Sequence, residues 1–135
     1  MLKNIKDSIN IREILKFLVG GGSAVATDAA IYALLSQFID VSAAKAISYI
    51  TGASVGFVIN KLWTFDSKQF KIIEVIKYIL LYAFSACANT TVNSFVLLIL
   101  KSTIIAFLCA TGTSTVINFL GQKFIVFRKD KENNK

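Results

Sequence analysis

Two lysines stand at equivalent places in two similar ten-residue stretches of the chain. Gly56–Phe65 reads GFVINKLWTF and Asn118–Phe127 reads NFLGQKFIVF, so Lys61 aligns with Lys123 without a gap. Ammonium and amide groups can hold a phosphate through charge-assisted hydrogen bonds. The alternative is that both lysines only extend to the lipid headgroups and anchor their helices. Both interpretations are open from the pattern; under the first, a lipid phosphate would be bound by Asn60, Lys61, Trp63, Gln122 and Lys123.

Four further polar residues fall inside long apolar runs. Asp28 lies near the middle of the first run, where an ionised acid costs roughly 2.5–3.5 kcal/mol on insertion scales. By helical rise Lys45 and Lys61 are each on the order of 10 Å away in depth, which leaves an ion pair with Asp28 open. We interpret the four as a polar path, with structural hydrogen bonding as the alternative. They are Asp28, Asn89, Asn93 and Asn118.

The residue types do not favour an enzyme. The chain contains no histidine, which removes the usual general base and the commonest metal ligand. We therefore expect no catalytic residues, no metal site and no cofactor. Cys87 and Cys109 both fall in the middle of apolar runs, where cysteine acts as a small packing residue, so no disulfide is expected.

The elements that carry these residues are predicted to be membrane-spanning helices. The chain has 135 residues, 55% of them apolar and 17% charged, which indicates one membrane domain over residues 1–135. Each of four apolar runs exceeds the roughly 20 residues that cross a hydrocarbon core. Backbone amides in lipid must pair internally, which favours helices, and the runs are too continuous for a β-barrel. The fold class is thus all-α, with spans at residues 17–38, 43–65, 78–100 and 103–127.

The positive charges predict the orientation of the spans. Lys and Arg total 15 and cluster before the first run, between the second and third, and after the fourth. Positive flanks mark the cytoplasmic side, so both termini are expected there. Because the net charge of +7 flanks membrane spans, we expect no nucleic-acid partner. Ala24-Val25-Ala26 resembles a signal-peptide cleavage site, but the apolar run continues past it to Phe38, so we expect it to be retained.

The chain is predicted to be one helical hairpin used twice. Lys16-Phe17 matches Lys77-Tyr78, and twelve residues after these two lysines come Asp28 and Asn89. Each copy has two spans, an even number, so both enter the membrane from the same side as a parallel repeat. The copies differ in that Asp28 and Trp63 of the first are replaced by Asn89 and Ile125 in the second.

Small or polar residues recur at helical spacing in every run, which predicts the contact seams between helices. Two short segments, residues 2–9 and 70–77, have an amphipathic pattern typical of helices at the membrane surface. The seam residues are Gly20, Ala24 and Asp28 in the first run, Ser48, Gly52, Gly56 and Asn60 in the second, Ser85, Asn89 and Asn93 in the third, and Thr111, Ser114, Asn118 and Gly121 in the fourth.

Over Lys16–Arg128 the sequence resembles the GtrA-like family of small four-span membrane proteins. The resemblance depends on FLVGGGSAVATDAAIYALL in the first run, and on GFVINKLWTF and NFLGQKFIVF, which close the second and fourth runs. Lys61 stands where arginine is common in the family, and Ile125 where the second copy often has tryptophan. Lysine lacks the bidentate fork of arginine.

The resemblance implies a role in cell-surface polysaccharide synthesis in the cytoplasmic membrane of a bacterium. It implies that the protein flips a polyprenyl-phosphate-linked sugar that then decorates teichoic acid, O-antigen or a similar polymer. Glycosyltransferases of the same pathway would be its partners. Because four spans enclose little volume, we also expect a homo-oligomer. The alternatives are a small multidrug-type exporter, which also has four spans and an acid in the first, and a non-transporting scaffold for a glycosyltransferase.

Overall fold

The computed structural model describes residues 9–128, and these form four long helices with no strand. The second and fourth helices each continue into a short π-helix, π1 (Asn60–Thr64) and π2 (Gln122–Val126). Residues 2–8 of the first predicted amphipathic segment lie outside the described residues. The long helices are α1 (Ile11–Leu35), α2 (Val41–Ile59), α3 (Ile72–Leu100) and α4 (Thr103–Gly121).

All four helices, two of them with their π extensions, are long and apolar enough to cross a membrane, which confirms the predicted fold class. Large apolar side chains remain exposed along each of them, for example Ile50, Phe84, Leu98 and Phe107. Such outward faces are stable when the surrounding solvent is lipid. The cytoplasmic placement of the termini remains a prediction.

Side-chain caps fix where three of the helices begin. Asn10 accepts from the backbone N–H of Arg12 before α1, and Asp40 accepts from that of Ser42 before α2. Ser102 caps α4 in the same way. These oxygens pair amides that the first helical turn leaves without partners. Lys71 stands at the N-cap of α3 and supplies no capping side chain.

Two helices begin ahead of the apolar runs from which the spans were predicted. α1 begins at Ile11 instead of residue 17, and α3 begins at Ile72 instead of residue 78. The segment at 70–77 is therefore not a separate surface helix, since most of it forms the first turns of α3. α1 also ends earlier than predicted, at Leu35, where the Gln37 side chain turns back to the carbonyl oxygen of Ala33 at 3.1 Å.

The described chain divides into two compact units after Lys68. The first is the hairpin of α1, α2 and π1, and the second is the hairpin of α3, α4 and π2. Several positions 62 residues apart along the second helix of each hairpin have the same burial, among them Ala44 and Ala106, and Phe57 and Phe119. The two predicted copies are thus alike in helix order and in core positions.

Residues of the predicted small-residue seams make contacts within each hairpin, although the predicted seam residue Thr111 is exposed. In the first unit a Cβ at Gly52 would lie 2.6 Å from the carbonyl oxygen of Ala24. In the second unit the Ser85 hydroxyl donates to the carbonyl oxygen of Ser114 at 3.2 Å. Small residues allow this close approach of two backbones, and hydroxyl groups bond across it.

Candidate functional site

Both ten-residue motifs close their helices in a π-helix. The backbone N–H of Phe65 donates to the carbonyl oxygen of Asn60 at 2.9 Å, and that of Phe127 donates to the carbonyl oxygen of Gln122 at 2.8 Å. These bonds span five residues instead of four, which inserts one extra residue into the turn. Single π-helical turns are rare and are frequent at functional sites. Apart from the matched motifs, no sequence pattern indicated this geometry.

Lys61 is a buried cation in π1. Only 3% of the residue is exposed, and its Nζ donates to the Ser67 hydroxyl at 3.1 Å. The Thr64 hydroxyl donates to Oδ1 of the buried Asn60 at 3.1 Å. Lys61 is therefore held inside the folded hairpin, which argues against a lysine that only extends along the surface to the headgroups.

The matching lysine of the second unit has a different environment. Lys123 is half-buried, and its Nζ lies 5.9 Å from the centroid of the Phe124 ring. The neighbouring Gln122 is buried completely. The two lysines share a position in a π-helix but not an environment, so they are not interchangeable parts of one symmetric site.

Trp63 lies on the exposed side of π1, with 47% of its surface accessible. The Lys16 ammonium from the start of α1 stands 5.2 Å from the centroid of its ring, within the range of a cation–π interaction. Behind this pair the rings of Phe17 and Phe65 pack with their centroids 6.4 Å apart. In the second unit the exposed Ile125 occupies the position of Trp63.

A groove of about 430 Å³ lies in the second unit, between the start of α3 and π2. Its polar lining has three cations and one carboxylate. Its apolar lining is Ile73, Ile125 and Val126, and its charged lining is Lys71, Glu74, Lys77 and Arg128. From the sequence, these cations were predicted only to flank the membrane spans. The repeated spacing of Glu13 and Lys16 in Glu74 and Lys77 was the available signal.

Asp28 forms an ion pair with Lys45. Lys45 Nζ lies 2.8 Å from Asp28 Oδ2, and the Ser48 hydroxyl donates to Asp28 Oδ1 at 2.6 Å. The difference in depth between Asp28 and Lys45 is smaller than expected from the sequence, because α1 ends at Leu35 and α2 begins at Val41. Asp28 is then about 10 Å and Lys45 about 6 Å from that end of the hairpin, a gap that the lysine stem closes.

A family model described as GtrA/DPMS, transmembrane domain, matches residues 16–127. The chain belongs to this family. The match takes in both hairpins and both π-helices, and it confirms the resemblance seen in the motifs. Membership fits a multi-pass membrane protein related to polyprenyl-phosphate sugars.

The two units of this GtrA/DPMS domain differ in the polar contact at their mid-seam. The Asn89 side-chain amide occupies the position of Asp28, and it donates to the Ser114 hydroxyl at 3.1 Å. The positions of Lys45 and Ser48 hold Phe107 and Ala110 in the second unit. The acid, its cation and its hydroxyl donor therefore change together, and the ion pair belongs to the first unit alone.

The residues predicted to form a polar path are divided between the units of the domain. Asp28 belongs to the first, and Asn89, Asn93 and Asn118 belong to the second. Asn93 is half-buried, one helical turn beyond Asn89 on α3. Oδ1 of Asn118 is buried and accepts no hydrogen bond from residues 9–128. A buried amide oxygen of this kind calls for a donor from water or from a hydroxylated ligand.

The described residues of the GtrA/DPMS domain hold no group of three or more His, Cys, Asp and Glu side chains in metal-binding arrangement. Cys87 and Cys109 are both free thiols at exposed positions. Neither contributes to the π-helices or to the groove.

Proposed function

We propose that this GtrA/DPMS domain moves a polyprenyl-phosphate-linked sugar across the cytoplasmic membrane of a bacterium, for glycosylation of a surface polymer such as teichoic acid or O-antigen. The observation that carries the proposal is the lysine held in a π-helix at the end of each hairpin, within a family related to polyprenyl-phosphate sugars. Cations near a lipid–water boundary attract the phosphate of such a lipid.

The polar residues supply a second requirement of translocation. A sugar carries hydroxyl groups that must exchange hydrogen bonds with water for hydrogen bonds with protein as it crosses. Asn118 Oδ1 is a buried acceptor with no donor from the described chain, and Asp28 is one-fifth exposed at its side chain. We assign these residues to contact with the sugar, while the polyprenyl tail stays in lipid.

The exporter alternative is less well supported. It rested on four spans with an acid in the first, and in the structure that acid, Asp28, already accepts from both Lys45 and Ser48. The scaffold alternative predicts that the protein does not transport the lipid-linked sugar, and the experiment below distinguishes it from the proposed function. The glycosyltransferase partners, the homo-oligomer and the absence of enzymatic activity remain part of the proposal.

The decisive experiment is reconstitution of the purified chain into liposomes that contain a fluorescent short-chain polyprenyl-phosphate sugar in both leaflets. We expect added reductant to quench nearly all the label when the protein is present, and only the outer half in empty liposomes. Lys61→Gln should slow the exchange, whereas Lys68→Gln, which removes an exposed cation shortly after π1, should leave it unchanged. A scaffold would give quenching no greater than in empty liposomes, while a glycosyltransferase still co-purifies from cells.

A further inference from the structure

The residues that line the groove of the second unit match a less basic set of residues in the first unit. Applying the repeat alignment, Lys71 matches Asn10, and Arg128 matches Asp66. The acid and lysine of α3, Glu74 and Lys77, match Glu13 and Lys16. Ile73 matches Arg12, so three cations and one carboxylate in the second unit correspond to two cations and two carboxylates in the first.

The aromatic residue also separates the two copies. In the first unit the ring of Trp63 lies beneath the Lys16 ammonium. In the second unit Ile125 takes the place of that ring and lines the groove beside Lys77. The first copy thus satisfies its lysine internally with a π face, whereas the second copy presents its lysine in an open groove.

We propose that the groove formed by Lys71, Lys77 and Arg128 binds the phosphate of a lipid phosphate ester. The groove adds a phosphate site in one unit of the repeat to the function proposed above. The identification of the lipid as a polyprenyl carrier rests on that proposed function. Arg128 supplies a planar fork that suits phosphate, and the two lysines supply point charges. The start of α3 also adds the positive end of a helix dipole to the same surface.

The apolar wall of the groove selects a lipid over free phosphate. Ile73 and Ile125 are both about half exposed where they line it. A phosphate bound among the cations would place its ester carbon chain against these side chains, which removes apolar surface from water. The volume of about 430 Å³ falls within the range of roughly 300–1,000 Å³ that small-molecule sites occupy.

Glu74 is the one carboxylate among the residues that line the groove. It is buried, with 5% of its surface exposed, and it stands three residues from both Lys71 and Lys77. Glu74 and Lys77 are neighbours on the surface of α3 at this spacing, and Lys71 stands at the N-cap of the same helix. The lining keeps an excess of two positive charges after Glu74 is counted.

The test is binding of radiolabelled geranyl phosphate to the full-length protein in nanodiscs of phosphatidylcholine. We expect Lys77→Gln and Arg128→Gln each to raise the Kd roughly tenfold or more, because each removes a charge-assisted hydrogen bond. The matched variant Lys16→Gln should leave the Kd within about twofold. Geraniol and inorganic phosphate, added as competitors at equal concentration, should displace little of the label.

Several results would overturn this assignment. Unchanged binding in both groove variants would exclude the groove, and so would an equal loss in Lys16→Gln. Displacement by inorganic phosphate as effective as that by unlabelled geranyl phosphate would make free phosphate the ligand. If Lys77→Gln does not fold, as judged by size-exclusion chromatography and circular dichroism, Arg128→Gln decides, since Arg128 is exposed beyond the last helix.

The same variants separate this inference from the proposed function. Groove-dependent binding of geranyl phosphate without sugar translocation in liposomes would uphold the site and reject the transport proposal. If the protein translocates the sugar and the groove variants still bind geranyl phosphate normally, the transport proposal is upheld and the groove is rejected as the site.

Discussion

Leu81 on α3 lies directly against Gly121 on α4. The matching positions of the first hairpin hold the same two sizes in reverse, since Gly20 on α1 lies against Ile59 on α2. Each seam thus has one residue without a side chain and one large aliphatic residue at this level. The two hairpins therefore pair a large residue with a glycine at this level, but the large residue lies on the second helix of the first hairpin and on the first helix of the second hairpin.

This contact predicts strong position dependence among neighbouring glycines. A Cβ at Gly20 would lie 2.5 Å from Asn60 Oδ1, whereas one at Gly21 or Gly22 would meet nothing within 4 Å. We expect Gly20→Ala to lower the free energy of unfolding by about 1–3 kcal/mol. Gly21→Ala and Gly22→Ala should have little effect or a slightly favourable one. Equilibrium unfolding in mixed micelles measures this, and equal losses at all three positions would contradict it.

The ion pair of the first unit predicts non-additive losses of stability. Asp28→Asn and Lys45→Gln should each lower the unfolding temperature, and the double variant should lose less than the two losses added together. Ser48 is fully buried and donates to Asp28, so Ser48→Ala should cost about 1 kcal/mol. Ser54→Ala on the same helix is the control, because its hydroxyl bonds only the carbonyl oxygen of Ile50 and is exposed. Strict additivity of Asp28 and Lys45 would show that the pair contributes no coupling.

Trp63 is the single tryptophan of the chain, so its fluorescence reports on the Lys16 contact. We expect Lys16→Gln to shift the emission and to remove a stabilisation of about 0.5–1 kcal/mol. Lys45→Gln, near the opposite end of the α1–α2 hairpin, should leave the emission unchanged. An emission spectrum that responds equally to both substitutions would mean that the signal follows general loosening of the hairpin.

The distribution of positive charge predicts which loops face the cytoplasm. In a variant without its native cysteines, Gln37→Cys between α1 and α2 should react with an impermeant maleimide in intact cells. Gln69→Cys, which precedes α3, should react only after the membrane is made permeable. Labelling of both positions in intact cells would indicate a mixture of orientations, as expected of the exporter alternative.

The helices and their seams were predictable because each has a direct sequence signal. Long apolar runs without proline mark the spans, and small residues at helical spacing mark the faces that meet. The starts of α1 and α3 were not predictable from hydropathy, because Asn10 caps one helix ahead of its apolar run and both helices carry charged first turns. A helix end follows backbone hydrogen bonding, and hydropathy does not report on that.

The candidate site was only partly predictable. Lys61 and Lys123 were found because the two motifs repeat them. The groove escaped notice because it joins Lys77 at the start of α3 to Arg128 after π2, and only the folded hairpin brings these together. The Asp28–Lys45 ion pair was left open because its geometry depends on where α1 ends and α2 begins.

The π-helices change which side chains share a stripe along the second helix of each hairpin. Eight residues separate Phe57 from Phe65, and an unbroken α-helix would turn them about 80° apart. One residue absorbed by π1 reduces this difference to roughly 20°, and both rings are buried. Phe119 and Phe127 repeat the spacing across π2 and are also buried. A helical wheel drawn straight through either motif would assign the second phenylalanine to the wrong face.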